Sequence, residues 1–395
     1  MTIPAHIRIY SVFFLFALAL GGLLSRMADL QHQLGVTESE LGLTLIGMAI
    51  GSLISLTIAS PLILKFGARW TAFLTVFGTA AIYALVPWLP NAQFVFGALF
   101  VAGFLAGALE INVNLETDKL EALLGRRIMN RAHGMWSLGF FVTALIGAGM
   151  RQLDVSIQVH TGIMLAIVLA VGLLTISGMT TAAERPDAHE GEHPKFAVPT
   201  WGLLPLCMIG IAAFLVEGAG VDWSTIYMRD VWSARGFIGG LGLTLFTAFM
   251  AMTRLFIDPF VDQHGPRRVA GTLLVISAIG ILLVGFAPAD WVALAGFALL
   301  GMGCSAVYPL AVSAAAQRTD RPAAVNVAAI GQVTFIVFFL APPLLGFVAQ
   351  YLGIRNSYLI CLPVIALGLL AIPALQGKSK DHGMPSVPEP LSPNG

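Results

Sequence analysis

Twelve stretches of about 20 predominantly apolar residues recur along this chain, each long enough to cross the roughly 30 Å hydrocarbon core of a bilayer as a helix. They fall at 8–26, 40–62, 70–89, 93–115, 132–151, 160–181, 201–223, 236–257, 268–288, 290–314, 324–349 and 355–375. Within hydrocarbon the backbone must satisfy its own hydrogen bonds, and runs of this length do so as helices. The expected fold is therefore an all-α membrane protein with twelve transmembrane helices. Composition agrees: 57% of the residues are hydrophobic and 11% charged, where a soluble domain carries about 25% charge. A formal net charge of +0 argues against a nucleic-acid partner, which needs a basic surface. The first 22 residues, MTIPAHIRIYSVFFLFALALGG, have the form of a signal peptide. With eleven further runs behind them they read better as an uncleaved first span.

The longest polar interruption, residues 180–200, divides the runs six and six. The expected organisation is an N-terminal six-helix half (1–181), a cytoplasmic linker (182–200), a C-terminal six-helix half (201–375) and a disordered cytoplasmic tail (376–395). Lysine and arginine set orientation, because they accumulate on the cytoplasmic side. With the N-terminus inside, fifteen fall on the cytoplasmic side and five (Arg26, Arg151, Arg229, Arg235 and Arg355) opposite, while Arg254 lies within a span. Both termini and the linker are then cytoplasmic. The halves also repeat. SPLILKFGAR (60–69) follows span 2 and DPFVDQHGPRR (258–268) follows span 8, placing Gly67 and Gly265 198 residues apart. At a similar offset Ser25-Arg26 falls near Asp222-Trp223. Parallel six-helix repeats are a transporter architecture.

These features resemble the major facilitator superfamily over nearly the whole chain. Its signature loop between spans 2 and 3 is matched by Leu62, Lys65, Gly67 and Arg69, with Ser60 and Leu64 departing from the pattern. The second copy is fuller: Arg254, Asp258, Asp262, Gly265, Arg267 and Arg268. SRMADLQHQLGVTESELGL (25–43), GALEINVN (107–114) and HGMWSLG (133–139) are similar to the branch holding fucose–proton permeases and MosC-type, rhizopine-transport-like carriers. Where fucose permeases carry an acid near the outer end of span 1, this chain has Ser25 and Arg26. The resemblance implies a monomeric secondary transporter of the bacterial inner membrane that works by alternating access, moves a small polar organic solute such as a sugar, polyol or inositol-like compound, and couples to protons.

An ionisable side chain inside a span costs a few kcal/mol, roughly, unless it faces a cavity or a partner. Glu110, Glu116, Glu217, Asp222 and Arg254 are the candidates. Asn114 follows Glu110 at i+4, on the same helix face. That pair suits contact with a proton or substrate, or a structural hydrogen bond between helices. Glu217 and Asp222 are five residues apart, about 140° around a helix, with Gly218 and Gly220 between them. A locally unwound outer end of span 7 is expected, with Glu217 as a second proton or substrate group and Trp223 as a lid or interfacial anchor. Asp222 is expected to bridge to Arg26 at an outer gate. Arg254 with Asp258 one turn on, together with Lys65, Gly67, Asp262, Gly265 and Arg268, is expected to form a cytoplasmic gate. Tyr308 and Pro309 in span 10, and Gln332 and Thr334 in span 11, are weaker candidates for contact with a hydroxyl-rich substrate or for interhelical bonding. Asn112, Glu116, Asp118, Lys119 and Glu121 read as a solvated exit. Gly47/Gly51 and Gly103/Gly107 are close-packing pairs.

Cys207, Cys304 and Cys361 each lie in an apolar run and read as small buried hydrophobes. His189-Glu190-Gly191-Glu192-His193 fits HExxH, but a Gly within it and Pro194 after it oppose the helix a zinc site needs. No Walker loop or dinucleotide-binding loop is present, so no cofactor, no metal and no enzymatic activity are expected. A proton-coupled exporter of drugs or metabolites is the rival reading of the same fold. A non-transporting membrane sensor or scaffold is the remaining one.

Overall fold

The computed structural model describes residues 3–124, 128–180, 198–321 and 323–375. The HExxH stretch and the expected C-terminal tail lie outside the described residues, as does all but 198–200 of the expected linker. Sixteen α-helices follow one another: α1 (Ala5–Leu24), α2 (Met27–Leu34), α3 (Glu38–Ile58), α4 (Ser60–Leu85), α5 (Ala92–Leu124), α6 (Met129–Gln152), α7 (Ile157–Ile176), α8 (Leu204–Trp232), α9 (Gly236–Phe256), α10 (Asp258–His264), α11 (Pro266–Gly285), α12 (Asp290–Cys304), α13 (Val307–Ala316), α14 (Ala323–Leu352), α15 (Ile354–Leu359) and α16 (Cys361–Ala371). Among the described residues there is no strand, and twelve helical segments are long and apolar enough to span a membrane. Span 10 is broken between α12 and α13 at Ser305-Ala306, and span 12 between α15 and α16.

Local chemistry explains several ends. Thr37 caps α3 in a reciprocal capping box, its hydroxyl accepting from the Glu40 amide while Glu40 accepts from the Thr37 amide at 2.8 Å. The left-handed Gly35 closes α2. The two repeated loops share a backbone conformation: Gly67 has φ 78° and ψ 160°, Gly265 φ 80° and ψ 156°. Only glycine enters that region readily, so the 198-residue spacing marks one turn used twice.

The first six spans meet the last six along two helix pairs, α6 with α9 and α3 with α14. Within the first set α3 and α5 pack with almost no gap. A Cβ on Gly51 would stand 1.9 Å from the Phe100 carbonyl, and one on Gly103 1.9 Å from the Met48 carbonyl. The small-residue pairs in the sequence therefore serve helix packing. The three cysteines are free and buried.

Candidate functional site

Bonds between the two sets of spans gather at the end of the bundle that carries α2. Arg229, near the end of α8, donates to the Ala28 carbonyl at 2.9 Å and to the Gln31 side chain at 2.7 Å. The Phe237 amide donates to Gln152 at 3.0 Å. Ser39, at the start of α3, donates through its amide (3.3 Å) and its hydroxyl to Gln350 of α14. Behind this seam Asp29 accepts from Arg26 and, at 2.8 and 3.1 Å, from Arg151. Burial alone would push the Asp29 carboxyl up; the hydrogen bond and charge of Arg151, with those of Arg26, more than offset it and hold it below the ordinary value of 3.8.

At the opposite end Lys65, Asp258, Asp262 and Arg268 are exposed and, among the described residues, enter no ion pair. The expected Arg254–Asp258 pair is not made. α9 ends at Phe256, and Asp258 opens a separate helix, so i+4 spacing no longer places the two on one face. The seam is bonded at one end of the bundle, and at the other the charged residues of the repeated loops make no ion pair among the described residues.

Between them lies a polar layer. Glu110 of α5, His133 and Ser137 of α6, Phe214 and Glu217 of α8, Arg254 of α9, Ser305 between α12 and α13, Tyr308 of α13 and Phe338 of α14 contribute to it. Counted at 1.5 Å per residue from the sealed end, all lie roughly 21 to 28 Å along their spans. Glu110 accepts from Asn114 at 2.7 Å, as the i+4 spacing predicts. His133 is exposed although it sits inside a span, with the Phe13 ring 5.0 Å away. Glu110 and Arg254 both lie close enough to act on it electrostatically. Arg254 donates through Nε to the Ser305 carbonyl (3.0 Å) and through Nη1 to the Ser137 hydroxyl across the seam (3.0 Å). Its Nη2 stands 3.5 Å from the Glu217 carboxylate. The break at Ser305 frees the carbonyl that Arg254 uses. Phe214 packs edge-on against Tyr308 (4.6 Å) and Phe338 (4.8 Å), giving the second set an aromatic wall. Glu110 is within electrostatic range of Tyr308 across the seam. Gln332 is half-buried on α14 nearby in sequence to the buried Thr334, whose hydroxyl bonds its own helix.

Other expectations need correction. α8 does not unwind at Gly218 and Gly220; it runs unbroken to Trp232, nine residues beyond the expected end of span 7. Gly220 admits a neighbour: a Cβ there would stand 2.3 Å from the Phe246 ring. Trp223 is fully buried, 3.0 Å from where a Cβ on Gly346 would sit, so it is neither a lid nor an interfacial anchor. Asp222 does not meet Arg26. Arg26 is taken by Asp29, the Val155 carbonyl (2.9 Å) and His160 (3.4 Å), while Asp222 makes no hydrogen bond or ion pair among the described residues. The offset that relates the loops fails here because α8 outruns α1. Two residues of the expected solvated exit are buried: Asn112 donates to the Ala68 carbonyl at 3.0 Å beside the Gly67 turn, and Glu116 is 2% exposed, while Asp118, Lys119 and Glu121 are half-buried. His133, Ser137, Phe214 and Ser305 were not singled out by the sequence. The signal for the first two was the HGMWSLG stretch itself, a histidine and a serine one turn apart in an otherwise apolar span.

Residues 206–393 match the Major Facilitator Superfamily. The chain is 29% identical to the uncharacterized transporter y4wD of Sinorhizobium fredii, covering 92% of this chain and 96% of that one. It is 26% identical to the membrane protein MosC of Rhizobium meliloti, covering 91% and 86%. Among solved structures it superposes on the nucleoside transporter NupG with a TM-score of 0.72 at 10% identity, covering 94% and 99%. On the E. coli fucose:proton symporter FucP the TM-score is 0.61 at 18% identity, covering 94% and 98%. Fold and relatives together define a multi-pass membrane transporter. The matched segment is the second set of six spans, and the chain resembles the Major Facilitator Superfamily there by sequence and throughout by fold.

Proposed function

We propose that this chain is a secondary active transporter that moves a small polar organic solute, of the sugar, polyol or inositol-like kind, across the bacterial inner membrane by alternating access and in company with protons. It works as a monomer of two six-helix halves, 1–181 and 201–375, joined by a cytoplasmic linker, with both termini cytoplasmic. The observation that carries this reading is the polar layer Glu110–His133–Arg254–Glu217. It lies between the two sets of spans, beneath a seam of hydrogen bonds gathered at one end. Ionisable groups at that depth mark solute and ion pathways, and rocking of two repeats about a midplane site exposes such a layer to each side in turn. The fucose:proton symporter FucP, which shares the fold, supports the same direction. Glu110, with Asn114 on the same face, and Glu217 are assigned to proton coupling. In proteoliposomes Glu110→Gln is expected to retain solute exchange at equal concentrations on both sides and to lose accumulation against a gradient; accumulation by the variant would overturn the coupling role. The Phe214–Tyr308–Phe338 wall favours one second reading, an exporter of aromatic or apolar compounds. Binding of such compounds in preference to hydroxylated ones would select it.

A further inference from the structure

We propose that the transported solute carries a carboxylate, which the open edge of Arg254 grips as a fork when Glu217 is protonated. This rests on the transporter reading above and names its substrate class. A guanidinium has five N–H donors. Arg254 commits one on Nε to Ser305 and one on Nη1 to Ser137, both at 3.0 Å. Nη2 approaches only Glu217, at 3.5 Å and without a hydrogen bond. Three N–H donors, one on Nη1 and two on Nη2, thus make no hydrogen bond among the described residues, and the Nη1–Nη2 edge presents one N–H from each nitrogen. That edge is the side of arginine that matches a planar carboxylate in two parallel bonds.

Charge balance points the same way. Arginine stays charged at any physiological pH, and a charge at this depth requires a counter-charge. Glu217 supplies it in this state. The other groups near Glu217 are Asp222 and Cys304, and those near Arg254 are His133 and Cys304; Glu110 faces His133 from the first set of spans. Of these acids only Glu217 forms an ion pair with Arg254 among the described residues. If Glu217 takes a proton from solvent, Arg254 is left uncompensated and an anionic solute restores neutrality. A neutral sugar does not, and a cation makes it worse. An anion arriving while Glu217 is still ionised would add a second buried negative charge. Proton and carboxylate therefore raise each other's affinity, reciprocally, and the loaded layer has the same net charge as the empty one.

The test is thermal unfolding of the purified full-length protein at pH 6 and pH 8. The probes are acids paired with uncharged or cationic counterparts of the same skeleton: lactate with propane-1,2-diol, gluconate with sorbitol, glucuronate with glucose and glucosamine. Binding to the folded state raises the unfolding temperature. At least one acid is expected to exceed its counterparts, more strongly at pH 6. Arg254→Lys, which keeps the charge and loses the fork, is expected to weaken it roughly tenfold or more. Glu217→Gln is expected to retain acid binding and to lose its pH dependence. If no acid exceeds its counterpart in the wild-type protein, or if Arg254→Lys binds the acid as well as wild type, the carboxylate proposal is overturned. The transporter reading is judged separately: a neutral solute that is bound, and accumulated in a Glu110-dependent way, leaves it standing while this inference falls.

Discussion

Arg229 on α8 reaches the Gln31 side chain on α2 at 2.7 Å, joining the end of the seventh span to the short helix that follows the first. The same guanidinium holds the Ala28 carbonyl at 2.9 Å, so one residue supplies two bonds across the seam. Removing it should favour the state open at this end. Arg229→Ala loses hydrogen bonds to a charged donor that together contribute about 2 kcal/mol, roughly a 30-fold shift in the balance of states. A cysteine at Val221, one helix face down from the seam, should then react faster with a membrane-impermeant thiol reagent added from the α2 side. Unchanged labelling would mean that the Ser39–Gln350 and Gln152–Phe237 contacts hold the seam without it.

Asp29 gives this closed end a pH limit. Its carboxyl is held below 3.8 by Arg151 and Arg26 against the opposing effect of burial. A depressed folded-state value means the ionised acid stabilises the fold above the unfolded pKa, and this contribution is lost as pH falls through the folded value. Asp29→Asn should thus lower stability by about 1–3 kcal/mol at pH 7. The gap between variant and wild type should close only below about pH 4. A gap that vanished between pH 7 and 5 would contradict the assignment.

The fold was legible because span length is dictated by the bilayer and the apolar runs record it directly. The repeated turn was legible too, since Gly67 and Gly265 share a conformation that few other residues adopt. Side-chain partnership was not. The spacing of Arg254 and Asp258 would pair them on a continuous helix, but α9 ends between them, and Arg254 turns to Glu217, 37 residues earlier in the chain. Glycines misled in the other direction. Gly218 and Gly220 read as a break in α8, whereas in a packed membrane bundle the neighbouring helices supply what glycine lacks. The actual break in span 10 falls at Ser305-Ala306, where Pro309, four residues on, has no N–H to give the Ser305 carbonyl. Glu110 with Asn114 was the one candidate pair whose chemistry is local to a single helix, and its 2.7 Å hydrogen bond is the one that spacing alone placed correctly.

Packing makes two glycine substitutions diverge. At Gly103 an added Cβ would fall 1.9 Å from the Met48 carbonyl, a backbone atom that cannot step aside. Gly103→Val should force α3 and α5 apart and cost about 3 kcal/mol or more. At Gly162 on α7 nothing lies within 4 Å of an added Cβ. Gly162→Ala removes only the backbone entropy of glycine in a helix and should stabilise by about 0.5–1 kcal/mol. Thermal unfolding of the two variants beside wild type checks both signs, and equal effects would refute the difference in packing.

Trp223 offers a separation of structure from transport. Its ring is fully buried, its indole N–H has no acceptor among the described residues, and its edge lies against Gly346 of α14. A side chain placed this way contributes bulk to the core. Trp223→Phe keeps an aromatic ring and removes an unpaired donor, so it should cost about 1–2 kcal/mol and leave solute affinity unchanged. Trp223→Ala opens a cavity and should cost about 3–5 kcal/mol. Solute affinity and unfolding temperature measured on the same preparations decide the matter. A Trp223→Phe protein of near-normal stability that bound solute tenfold more weakly would return this residue to the transport path, where the unbroken course of α8 through Gly220 leaves no room for it.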